Sequence, residues 1–397
     1  MKRQISCLVF LSVFVFLSGC WDRREINELA IVKAIGIDKI DENYEVTLQI
    51  INPGVVSGNQ SNYDSPVSTF SEVGTTVLEA IRHLTVDIPR RPYFAHLRMI
   101  IISEEVARDG ISPFLDFLLR DHEQRPDVYL VVSKEKRARD ALEVLTSLEV
   151  VPANNIFFSL ETSAEVLGET IPVNLTDAIS KLVTDGEELV LSGIIVEGPV
   201  EEGNRVESMQ QSAKTTRVEL TGLGIFHHDR LVGWLKGEES EVYNFIMNNI
   251  DNTVISVPCG EKYYAVEASR SHSKVKGTFK NGKPKINIYV NIVGHVDEVE
   301  CPIDITDVAA FTQLGEKASD HLQKQIEMLI KKVQREYKTD IFSFGRAFHR
   351  ADPKKWNELK ENWEAVFSQL EVEVNVNIEL RHKGMMRKSV NKEVNAL

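Results

Sequence analysis

The chain has only four cysteines in 397 residues and no Cys-x-x-Cys pair. That leaves a redox motif or a zinc ribbon without support. It has no long apolar run after Leu17, so no later segment approaches the ~20 residues that cross a bilayer core. It has no surplus of positive charge: the formal net charge is −13. Nucleic acid selects basic faces, so the balance argues against it, and against adhesion to anionic lipid by charge. G-x-S-x-G, H-E-x-x-H and the P-loop pattern are missing. Gly222-Leu223-Gly224 lies inside a strand-like run and lacks the third glycine of a dinucleotide loop. No catalytic, cofactor or metal residue is expected, and nothing lifts the chain toward an enzyme.

The clusters that remain have bland readings. His227-His228 is the only histidine pair. Adjacent strand residues face opposite ways, so the pair is expected at an exposed hairpin tip, unable to share a metal. Asp38, Asp41 and Glu42 lack the alternation and glycine of a calcium loop and read as a solvated turn. Trp356 and Trp363 read as core rather than as a ligand box. Arg90-Arg91-Pro92 reads as a charged turn, with contact to headgroups or a partner as the sharper alternative. Cys259 and Cys301 both lie in the C-terminal third. A disulfide outside the cytosol and two separate thiols on strand ends both fit them.

What is present begins at the N-terminus. Lys2 and Arg3 precede an apolar run of about a dozen residues, which is too short to span a membrane and has the form of a secretory signal. The run ends Leu17-Ser18-Gly19-Cys20, similar to a bacterial lipobox. A thioether to diacylglycerol requires a cysteine, and small residues at Ser18 and Gly19 admit a protease. Cleavage between Gly19 and Cys20, with lipidation of Cys20, is therefore expected. Stable anchoring takes two acyl chains, and a diacylglyceryl cysteine supplies both. Removing Lys2 and Arg3 takes two positive charges from the formal −13, leaving −15.

Further along, strands alternate with helices over the first ~180 residues, the mark of an α/β or α+β unit. Residues 96–103 (HLRMIIIS) are nearly all apolar, as in a strand buried on both faces. Residues 199–216 read as a linker or a long exposed loop, and 217–235 as a hairpin turning at His228-Asp229-Arg230. Asn281-Gly282 marks a second hairpin. Residues 303–337 carry an apolar stripe at helical spacing, and Asp352-Pro353 opens another helix. Residues 371–381 alternate without a break, as in a half-buried antiparallel strand. The fold class expected is α+β and multi-domain, with mixed or antiparallel sheets and helices on one face. It includes a C-terminal antiparallel sheet with a long amphipathic helix. The expected division is a removed signal (1–19), an N-terminal α/β domain (20–198), a linker and small middle domain (199–252) and a C-terminal α+β domain (253–397).

Residues 19–38 (GCWDRREINELAIVKAIGID) resemble the opening of the Ger(x)C family, the lipoprotein C subunits of spore germinant receptors. The resemblance continues through residues 96–127, 282–298 and 334–356. It implies three mixed α/β domains lipid-anchored on the outer face of the spore inner membrane. It also implies assembly with a multi-pass A subunit and a transporter-like B subunit. Together they respond to nutrients such as amino acids or sugars and release ions and dipicolinate. Only the lipidated Cys20 carries over as a functional residue. Trp21, Arg23 and Arg24 are then candidate membrane-proximal contacts, since tryptophan suits an interface and arginines suit phospholipid headgroups. Two other classes compete: a solute-binding lipoprotein of a transporter and an exported cell-wall hydrolase. The antiparallel C-terminal pattern argues against the first, and the second needs a carboxylate pair that the sequence does not reveal.

Overall fold

The computed structural model describes residues 28–57, 64–120, 125, 127–301, 303, 305 and 307–381. The signal segment and Gly19, Cys20, Trp21, Arg23 and Arg24 lie outside these residues. Among them, the strands form a nine-stranded sheet and a four-stranded sheet.

The first sheet is mixed. Strands β1 (Leu29–Ile40), β2 (Asn43–Ile51) and β3 (Val67–Gly74) form an antiparallel meander. The short β4 (Arg91–Tyr93) and β5 (Met99–Ser103) pair parallel with β1. The parallel run continues through β6 (Tyr129–Ser133) and β7 (Val190–Glu197). Strand β5 is buried along its whole length. Its alternate residues enter different cores: Ile100 and Ile102 one, Met99 and Ile101 the other. Helices cover each face. On one side lie α1 (Val77–His83), α2 (Glu104–Asp109), α3 (Ser112–Arg120) and, later in the chain, a further helix at Leu175–Val183. On the other lie α4 (Ala138–Glu143) and α5 (Pro152–Val166). The Leu175–Val183 helix is α6. The first sheet thus bears helices on both faces and the second on one.

Residues 217–235, read from the sequence within a small middle unit, are hydrogen-bonded into this sheet. Strand β8 (Arg217–His227) pairs antiparallel with β7, and β9 (Arg230–Leu235) with β8. Helix α7 (Glu238–Met247) then leads to the second sheet.

In that sheet β10 (Thr253–Cys259), β11 (Lys262–Lys280) and β12 (Lys283–Val299) are antiparallel. The turn between β11 and β12 has positive φ at Asn281 (52°) and Gly282 (78°), the conformation an Asn-Gly hairpin demands. The long α8 (Val308–Lys332) begins at Asp307, whose carboxylate accepts from the Ala309 and Ala310 amides, and it continues as a π-turn through Tyr337. Its buried stripe of Leu314, Ala318, Leu322 and Ile326 lies as the periodicity foretells. Helix α9 (Phe344–Ala351), α10 (Pro353–Leu359) and α11 (Trp363–Ser368) follow. Strand β13 (Glu371–Leu380) closes the sheet, but it pairs parallel to β12. This corrects the antiparallel reading of residues 371–381. Alternation reports one buried face and says nothing of direction. The helical crossover from β12 back to β13 is what a parallel pair needs.

Cys259, ending β10, and Cys301, just after β12, form a disulfide with Cα atoms 6.3 Å apart. Of the two readings left open by the sequence, the bridge is the one present. It closes a loop with a sequence separation of 42, which is worth on the order of 4 kcal/mol on chain-entropy grounds. We expect Cys301→Ser to lower stability by about 2–4 kcal/mol, read as a lower urea midpoint. Reductant should shift the wild type to the same midpoint and leave the variant unmoved. Equal midpoints for the oxidised wild type and the variant would remove the bridge from the account.

Candidate functional site at the junction of the two sheets

The segment leaving α6 reaches β7 through Asp185, Gly186, Glu187 and Glu188. Opposite it, the chain leaves α8 through two left-handed residues, Lys338 and Ser343 (φ 56° each), and turns sharply into α9. The two backbones meet at Gly186 and Gly345. A Cβ on Gly345 would sit 2.6 Å from both the Gly186 Cα and the Trp356 ring. A Cβ on Gly186, which also has φ +78°, would sit 2.8 Å from the Gly345 Cα. Only glycine fits at both points.

Asp340 organises the turn. It is buried, and its carboxylate accepts from the Phe344 amide (3.1 Å), the Gly345 amide (2.8 Å) and the Trp363 indole (3.0 Å). Burial pushes its pKa up to about 7, against the pull of those three donors. Trp356 is buried and meets Trp363 edge-on at 5.1 Å. Trp356 is core, as the sequence indicates, whereas Trp363 is half-buried and lines a cleft. Glu187 pairs with Arg346 (2.6 Å) and Asp185 with Lys360 (3.1 Å) across the junction.

The cleft beside this seam has a volume of about 610 Å³ and is lined by Asp185, Glu188, His228, Trp363 and Glu364, among others. Glu188 is one of its partly buried lining residues. Its Oε2 accepts from the His228 amide at 2.7 Å, and its Oε1 lies 3.2 Å from His227 Nδ1. The other His227 nitrogen is 3.3 Å from Glu364 Oε1. Burial pushes Glu188 up to about 7. The two imidazole rings are only 4.2 Å apart, and His227, His228 and Glu188 can each offer a ligand atom within 4.8 Å of the others. This corrects the reading that the histidines cannot share a metal. Strand alternation ends at His227, and His228 occupies the turn with φ +53°. That twist swings the second ring back beside the first. As for catalysis, the described lining contains no Ser or Cys, and the Thr184 hydroxyl is donated to the Ser180 carbonyl.

The other clusters resolve separately. Asp41 and Glu42 are exposed at the β1–β2 turn, but Asp38 is buried. It accepts from the Ala138 and Arg139 amides (2.7 and 2.9 Å) and so anchors the N-terminus of α4. The solvated-turn reading therefore fails at Asp38. Its partners lie a hundred residues away, beyond any local pattern. Arg91 begins β4 rather than sitting in a turn, and Arg90 lines a separate opening with Ile50 and Phe70. No described helix is long and apolar enough to cross a membrane.

Residues 22–196 match the family model described as the spore germination protein N-terminal domain, and residues 221–384 match that described as spore germination B3/GerAC like, C-terminal. Over 97% of its length the chain is 31% identical to spore germination protein KC of Bacillus subtilis (strain 168), covering 96% of that protein. The chain belongs to the Ger(x)C family of spore germination proteins. It is also 27% identical to spore germination protein A3 of the same organism, covering 97% of this chain and 98% of that one. The crystal structure of the GerBC protein superposes with a TM-score of 0.57 at 20% identity, covering 88% of this chain and 97% of that one. The fold is therefore that of this Ger(x)C relative. The resembling stretch 334–356 contains Asp340 and Gly345, so a signal for the seam was present, though nothing in it named their roles.

Asp340 gives the seam a pH dependence. A carboxyl whose folded pKa lies above its unfolded value contributes stability below the unfolded pKa and loses it as pH rises through the folded one. We expect the stability of the wild type relative to Asp340→Asn to fall by on the order of 2 kcal/mol between about pH 5 and about pH 8. Paired denaturation midpoints measure it. A gap constant with pH would show that Asp340 keeps one protonation state throughout.

Proposed function

We propose that this chain is the lipid-anchored C subunit of a spore nutrient germinant receptor. It would have no enzymatic role and would be required for dormant spores to respond to nutrients such as amino acids or sugars. The observation that carries the reading is the match to spore germination protein KC along nearly the whole of both chains. The lipobox-like Leu17-Ser18-Gly19-Cys20 supports the anchor, because two acyl chains on one cysteine suffice for stable attachment. The acidic chain, with no charge attraction to anionic lipid, then stands on the outer face of the spore inner membrane by its lipid alone. There it meets the A and B membrane subunits.

Nutrient-triggered dipicolinate release tests this reading in spores lacking the chain, complemented by wild type or by Cys20→Ala. We expect a nutrient-specific defect that wild type repairs and Cys20→Ala does not. Equal rescue by both would keep the receptor role and reject the anchor as its basis. Normal release with every nutrient, in spores also lacking paralogous chains, would reject the receptor role.

A further inference from the structure

The geometry points to a divalent transition-metal site, of the zinc class, formed by Glu188, His227 and His228 with Glu364 as an outer partner. Three different donors converge there. Glu188 comes from the segment before β7, His227 from the end of β8 and His228 from the turn after it. Their ligand atoms lie within 4.8 Å of one another. A zinc ion with bonds of about 2.0–2.1 Å holds tetrahedral ligands about 3.4 Å apart, so small side-chain rotations close the set. Two imidazoles and one carboxylate suit zinc and its neighbours rather than calcium or magnesium, which take oxygen ligands.

The surroundings match such a site. The Glu188 Oε2 is already held by the His228 amide at 2.7 Å, which leaves Oε1 to face the metal. His227 would ligate through Nδ1, and its other nitrogen lies 3.3 Å from the Glu364 carboxylate. A carboxylate on the far nitrogen of a ligating histidine fixes its tautomer and raises its basicity. The positive φ of His228 is what brings the second ring to the same side. Glu188 and His228 line the open cleft, so water could complete the coordination of a bound ion. Since Glu364 belongs to α11, the metal would tie the edge of the first sheet to the helices of the second.

Titration of the untagged full chain in detergent with zinc chloride, and with cobalt(II) read by its visible absorption, tests this directly. It does not depend on the receptor role. We expect one saturable site per chain. His228→Asn keeps a residue that tolerates positive φ but removes a ligand. It should weaken binding beyond the ~100-fold that bounds the loss of an outer partner. Glu364→Gln, at an exposed position, should weaken binding by about tenfold. Metal-free thermal melting matched to wild type shows that both variants are folded. No saturable binding by wild type, or binding by His228→Asn within about threefold of wild type, would overturn the site.

Discussion

Two glycines from distant parts of the chain touch, and the rest of the architecture is arranged around that contact. Gly186 belongs to the first sheet's connections and Gly345 to the second's, and no side chain fits between them. The Trp356 ring packs against both, and Asp340 accepts from the Gly345 amide. Three donors point at its carboxylate and offset part, not all, of the cost of burying a charge there. The seam is therefore a backbone contact crossed by the Glu187–Arg346 and Asp185–Lys360 ion pairs, with the Asp340 hydrogen bonds fixing its second-unit side. Sliding of one unit on the other would have to break these contacts.

The apolar core is consistent with a shared body. One cluster runs from Leu191 and Leu223 in the first sheet, through Tyr243 and Phe245 of α7, to Ile288 and Leu322 in the second unit. Helix α7 is the bridge, and Lys332 of α8 reaches back to its Glu239 at 2.6 Å. The two family models divide the chain at about residues 196 and 221, while the hydrogen bonds run past that point, because β8 pairs with β7.

Much of this was legible in the residues. Asn281-Gly282 announced its hairpin because a two-residue turn needs positive φ, which that pair supplies. The stripe on α8 and the alternation of β13 followed from the geometry of helix and strand. The direction of β13 did not, because alternation is the same in parallel and antiparallel pairs. Asp38 and His228 escaped for related reasons. One acts on amides a hundred residues away, and the other breaks the strand rule by sitting in a turn. The seam residues were hidden most deeply: Gly186 and Gly345 have meaning only as a pair, which sequence spacing does not join.

Amide hydrogen exchange on the full chain tests the single-body claim most directly. The account predicts that the Phe344 and Gly345 amides, which Asp340 holds on the second unit's side of the seam, exchange only as slowly as the Ile101 amide in the centre of the first sheet. All three would then open in one global event. Faster exchange at Phe344 and Gly345, with Ile101 still protected, would mean that the second unit opens on its own and that the seam does not bind the halves into one body.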